Sequence, residues 1–264
     1  MKLLERLSAA GNRVRRPMGA LRRRRFSKDP LTRLADRFGT DKGSKAFAAH
    51  GYTRIYHEVF GPLRHQAVRL LELGLLRAGS KGWLADPWKH RGSAPARRAP
   101  SLSMWAAYFP HGEIFGLDIN DFSAVRLERC SIFKGDAADP KVLEQLVDVS
   151  GGDFDFIIDD ASHTSQDQQI ALAALFPSLR AGGVYAIEDL TFRRLDWEAP
   201  NAMRTVDLLR RAEQGLGFHS PHIGPAQACY LEDHVERIEM YDSISPTGTL
   251  SERRDSLALI FKRS

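Results

Sequence analysis

From about residue 66 the chain alternates between short apolar runs and longer amphipathic ones. "AVRLLELG" (67–74) and "FDFIIDD" (154–160) predict buried strands, "EIFGLDI" (113–119) and "VYAIEDL" (184–190) predict strands, and "SIFKGDAAD" (131–139) predicts a strand and turn. Between them "SLSMWAAYF", "PKVLEQLVDV", "SQDQQIALAALFPSLRAGG" and "NAMRTVDLLRRAEQGL" carry helical spacing. Ser165 with Gln168 predicts a capping box at the start of the third of these, and Gly182 and Gly183 predict its end. "VERIEMYDSI" and "SLALIFK" predict a closing pair of strands. Strands apolar on both faces and separated by helices predict an α/β fold, a mostly parallel sheet covered on both sides.

In such a sheet, ligands bind beyond the carboxyl ends of the strands. The five central strand candidates end in Glu72-Leu73-Gly74, Asp118, Asp136, Asp159-Asp160 and Glu188-Asp189. One acid there is an ordinary turn or cap residue. Five on one edge repel one another unless a cation or a donor-rich ligand lies among them. Gly74 allows the chain to turn close to a ligand, Asp118 is placed to accept from ribose hydroxyls, and Asp136 to accept from an adenine amino group or to cap a helix. "ELGLLRAGSKG" is not a GxGxxG turn, which argues against NAD and for a ligand with ribose and adenine but no phosphates, such as S-adenosylmethionine. Asp160, Glu188 and Asp189 offer hard oxygen donors suited to Mg²⁺ or a similar divalent cation. Asp159 is expected to orient a neighbour or contact the cofactor. His163, three residues beyond Asp160, is a fourth ligand or, as the better use of an imidazole there, a base working near neutral pH.

Composition changes this picture at the N-terminus. The 264-residue chain is 43% hydrophobic with a net charge of +5, yet residues 1–28 hold ten Lys or Arg against Glu5 alone. The remainder is therefore slightly acidic, and the basic character belongs to an expected flexible extension (1–30), where contact with an anionic membrane surface is one use. A nucleic-acid role is disfavoured, since the extension has no interleaved aromatics. Two cysteines, Cys130 and Cys229, give no disulfide framework or thiolate zinc site. With no apolar run long enough to span a bilayer and no secretory core, a cytoplasmic protein is expected, peripheral membrane contact included.

The segments "DKGS", "HGYTRIYHEVF", "LLELG", "SLSMWAAYFPHGEIFGLDI", "GDAADP", "FDFIIDDASH", "LFPSLRAGGVYAIEDL" and "IEMYDSI…LALIFK" together resemble the metal-dependent class I S-adenosylmethionine methyltransferases that modify sugars in macrolide and related antibiotic pathways. They are also similar to the cephalosporin hydroxylase-like relatives of that fold. The resemblance runs from about Thr32 to the C-terminus and implies a Rossmann-like sheet, mostly parallel with a C-terminal antiparallel strand (67–264), behind an N-terminal helical lid segment (31–66). It implies metal binding by Asp160, Glu188 and Asp189, His163 as general base, and a cofactor site lined by Glu72, Gly74, Asp118 and Asp136. Lys42, His50, Tyr52 and Tyr56 become candidates for lid or cofactor contacts, with helix packing an equal reading of the two tyrosines. The departure from the family is a longer stretch at 77–100, rich in Trp and Arg, suited to an anionic glycan or to a disordered insertion.

The implied reaction is O-methylation of a vicinal hydroxyl of a sugar, glycoside or glycan. A catechol-like acceptor and a non-catalytic nucleoside- or glycan-binding module are the alternatives, and homo-oligomerisation is left open.

Overall fold

The computed structural model describes residues 29–45, 49–75, 96–191, 197–200, 202–242 and 256–264. The basic extension and most of the 77–100 stretch, with Trp83, Trp88, Lys89 and Arg91, lie outside them.

Helix α1 (Pro30–Phe38) starts where Asp29 accepts from the Thr32 N–H, with proline in the first turn, and stops at Gly39 in the left-handed region. Helix α2 (Thr53–Phe60) follows. Then come β1 (Arg69–Leu73), α3 (Pro100–Tyr108), β2 (Glu113–Asp118), β3 (Cys130–Lys134), α4 (Pro140–Ser150), β4 (Phe154–Asp159), α5 (Ser165–Leu175) and β5 (Leu179–Ile187). The chain closes with α6 (Thr205–Glu213), α7 (Pro225–His234), β6 (Val235–Tyr241) and β7 (Leu257–Lys262).

The seven strands form one sheet in the order β3-β2-β1-β4-β5-β7-β6. All neighbours from β3 to β5 are parallel, and β7 runs antiparallel to both β5 and β6. This is the mostly parallel sheet, closed by an antiparallel C-terminal strand, that the sequence leads one to expect. Its strand order reverses between β1 and β4, where ligands of such sheets bind.

Two apolar clusters cover the faces. One packs Leu71, Leu73, Ile157, Tyr185 and Ile187 against α4 to α7. The other packs Leu70, Phe156, Ile158 and Ala186 against α3 and the N-terminal helices, through Leu31, Ala35, Tyr52, Tyr56 and Phe60. The described residues of segment 31–66 are therefore joined to the core as a layer of it. The acid inside β4, Asp155, is 2% exposed and satisfied: it accepts from the Arg69 N–H at 2.7 Å and pairs with Arg180.

Three local expectations differ. Helix α5 ends at Leu175 rather than at the glycine pair, because Pro177 cannot donate to a continuing helix, and residues 179–187 form β5. Its N-cap is Thr164, with no side-chain capping bond; Gln168 instead donates to the Glu188 carbonyl at 3.4 Å, and the Ser165 hydroxyl donates to Glu198 at 3.1 Å. Helix α7 was not foreseen, since "PAQACYLEDH" has only two buried positions, Ala228 and Leu231, and little apolar periodicity.

Candidate active site

Parallel pairing brings the acids together. Leu73 lies opposite Leu117 on one side and Asp159 on the other, and Asp159 opposite Ile187. Asp160, Glu188 and Asp189 thus leave the sheet at one edge. Backbone bonds continue the ladder past the strands, from the Asp160 N–H to the Leu73 carbonyl (2.9 Å) and from the Glu188 N–H to the Asp159 carbonyl (2.9 Å).

At that edge one ligand atom each from Asp160, His163 and Asp189 lies within 4.8 Å of the others. His163 Nε2 is 3.7 Å from Asp189 Oδ2 and 4.0 Å from Asp160 Oδ1. Two hard oxygens in that space suit a divalent cation, and the imidazole nitrogen beside them is placed to serve as a further ligand or as a base. His163 and Asp189 both adopt left-handed backbone conformations, with φ of 61° and 53°. This region is uncommon for residues with a Cβ, and such backbone strain concentrates where side chains must be aimed.

The N-terminal layer holds the other faces of these acids. Lys42, 1% exposed, places Nζ in contact with Asp160 Oδ2, 2.8 Å from Glu188 Oε2 and 3.3 Å from Glu72 Oε1. The Tyr56 hydroxyl donates to Glu188 Oε1 and the Tyr52 hydroxyl to Asp189 Oδ1, both at 2.6 Å. His50 Nδ1 lies 3.8 Å from the same Asp189 oxygen and its ring stacks on Tyr52. Glu188 therefore directs both oxygens at Lys42 and Tyr56, one layer behind the Asp160, His163 and Asp189 group.

Burial governs the protonation of this edge. It pushes Glu72 up to about 7 against the pull of Lys42, and Asp159 up to about 7. It likewise raises Asp160 and Glu188. Burial by itself lowers Lys42, but the combined attraction of Asp160, Glu188 and Glu72 overcomes that and holds the ammonium charged.

The candidate cofactor residues are placed as follows. Gly74 has φ of 79°, and a Cβ there would stand 2.1 Å from the Asp160 carbonyl oxygen. The glycine thus serves the close approach of the β4 exit. Asp118 accepts from the Leu75 N–H (2.7 Å), the Asn120 N–H (2.7 Å) and the Asn120 amide (2.9 Å). Asp136 accepts from the Ala138 N–H at 3.0 Å, shaping the turn into α4. Glu72 is fully buried against Lys42. Asp159 is 2% exposed and meets the Ala161 N–H and the Tyr185 hydroxyl at 3.4 Å each. A line of carboxylate acceptors at the ends of β1, β2 and β3 fits a ligand that presents hydroxyls and an amino group.

The resemblance makes Lys42, Tyr52 and Tyr56 candidates for lid or cofactor contacts, with helix packing an equal reading of the tyrosines, and gives no sign of their acidic partners. Their separations of 118 to 146 residues from those acids leave no local signal. Tyr185 was missed entirely, although its alternation with Ala186 in β5 puts it on the Ile157 and Ile187 face.

No family model matches the chain. Among curated proteins it is 39% identical over 160 residues to an 8-demethyl-8-(2-methoxy-alpha-L-rhamnosyl)-tetracenomycin-C 3'-O-methyltransferase of Streptomyces olivaceus, spanning 61% of this chain and 36% of that one. It is 38% identical over 192 residues to an 8-demethyl-8-alpha-L-rhamnosyl tetracenomycin-C 2'-O-methyltransferase of the same organism, spanning 70% and 45%. Among solved structures it is similar to the MycE methyltransferase of the mycinamycin biosynthetic pathway, in complex with Mg, SAH and mycinamycin VI. That match has 26% identity and a TM-score of 0.64 and covers 90% of this chain and 56% of the other. The chain spans between about a third and about a half of the length of the curated relatives it matches. Its resemblance to sugar O-methyltransferases of antibiotic pathways therefore holds along most of the chain.

Proposed function

We propose that this chain is an S-adenosylmethionine-dependent, divalent-metal-dependent O-methyltransferase acting on a vicinal hydroxyl of a sugar or glycoside. The observation that carries the reading is the meeting of Asp160, His163 and Asp189 at the carboxyl edge of a class I sheet, in a chain 37 to 39% identical to sugar O-methyltransferases.

Asp160 and Asp189 hold the divalent cation, and Glu188 belongs to the same acidic edge. Gly74, Asp118, Asp136, Glu72 and Asp159 border the methyl donor. When bound, the cation supplies positive charge that makes a sugar hydroxyl more acidic, and S-adenosylmethionine supplies an electrophilic methyl group. His163 Nε2, held beside both aspartates, would take the proton of the acceptor hydroxyl. Positioning by the carboxylates and proton removal by His163 are the protein's contributions, worth roughly 10² to 10⁴ in rate for the base alone.

Calorimetric titration of the folded chain with S-adenosylmethionine and with NAD, each with Mg²⁺ and with EDTA, tests the cofactor. Incubation with a panel of rhamnosides and other vicinal diols, read by mass spectrometry, tests the reaction. Selective S-adenosylmethionine binding and a 14-Da gain on a diol that needs Mg²⁺ are expected. Folded protein that binds no S-adenosylmethionine refutes the reading.

A further inference from the structure

Among the described residues Lys42 is a buried charged group at the site that the proposed reaction leaves without a task. It comes from the loop after α1 yet ends among carboxylates from three strand ends, those of β1, β4 and β5. A buried lysine is costly to desolvate and persists only when fully paired, so its placement implies a definite role.

The oxygens of the acids are divided in a regular way. Asp160 gives Oδ2 to Lys42 and leaves Oδ1 on the His163 side. Asp189 gives Oδ1 to Tyr52 and leaves Oδ2 on the His163 side. Lys42 also holds Glu188 by one oxygen while Tyr56 holds the other. Each aspartate is thus tied at its back by the N-terminal layer and turned toward His163 at its front. Partners behind metal ligands fix their orientation in this way, and their loss commonly weakens metal binding 10- to 100-fold.

We propose that Lys42 is a positioning residue for the metal site, holding Asp160 by Oδ2 so that Oδ1 is presented to a divalent cation. The inference rests on the metal-dependent reading above. It also makes Lys42, with Tyr52 and Tyr56 of the same N-terminal layer, part of the metal site, in addition to any covering role.

The test is direct titration of the chain with Mn²⁺, followed by calorimetry and by the electron paramagnetic resonance spectrum of the bound ion, without methyl donor or acceptor. Lys42→Met is expected to bind Mn²⁺ at least tenfold more weakly and to change the spectrum, with a native circular dichroism spectrum. A folded variant with affinity within threefold of the parent and an unchanged spectrum overturns the proposal. If the Met variant does not fold, the same criteria apply to Lys42→Gln, a neutral side chain that keeps a donor. A parent chain that binds no Mn²⁺ overturns the metal reading and this inference together. Binding by the parent that is indifferent to Lys42 overturns the inference alone.

Discussion

Replacing Gly74 by alanine tests how the sheet builds the site. Gly74 follows β1 with φ of 79°, and an added Cβ would lie 2.1 Å from the Asp160 carbonyl oxygen, 2.6 Å from its carbonyl carbon and 2.7 Å from the Ala161 Cα. All three atoms are backbone, so no side-chain rotation relieves the overlap, and the β4 exit must retreat by roughly an ångström. The left-handed conformation costs alanine about 1 to 2 kcal/mol, and overpacking adds about 1 to 3 kcal/mol. A loss of about 2 to 5 kcal/mol in urea denaturation is expected. The same displacement moves Asp160 away from His163 and Asp189, so Mn²⁺ affinity falls as well, by tenfold or more at site tolerances of about half an ångström. Destabilisation below about 1 kcal/mol with unchanged Mn²⁺ affinity would refute the claim that Gly74 exists for the close approach of the two strand exits.

His163→Ala is expected to keep S-adenosylmethionine binding and to hold Mn²⁺ affinity within about threefold, while turnover drops roughly 10² to 10⁴; unchanged turnover, or lost metal binding, removes it from the role of base. Asp159, which burial raises from 3.8 to about 7, binds its proton more tightly when folded, so its contribution to stability declines as pH climbs from about 4 to about 7 and stays low above that. Asp159→Asn should stabilise the metal-free chain by about 2 to 4 kcal/mol at pH 8 and flatten the pH dependence of its melting temperature, with equal melting curves at pH 8 counting against the assignment. Tyr56→Phe removes the donor to Glu188 Oε1 and should cost about 1 to 3 kcal/mol in thermal or urea unfolding, with no loss if solvent replaces the hydroxyl.

The sequence by itself determined the sheet. β1, β2 and β4 are buried nearly throughout and β5 over its last five residues, so their apolar runs carry their own evidence, and each ends within one residue of an acid that is buried there in contact with polar partners. Asp160, Glu188 and Asp189 are recognisable in the sequence as one edge, since parallel pairing lines up strand ends. Helix α7 was illegible, because its exposed polar positions outnumber its buried ones and it lacks a strong stripe.

Only the tertiary structure decided how the acids share their oxygens. Glu188 and Asp160 look alike in sequence, yet one directs both oxygens to Lys42 and Tyr56, while the other keeps Oδ1 on the side of His163. Similarly, Gly74 was expected to make room for a ligand, and the nearest atoms to its missing side chain belong to Asp160 and Ala161. Periodicity records which face of an element is buried. Contacts between residues more than a hundred positions apart depend on how the layers pack, and no short window of sequence holds that information.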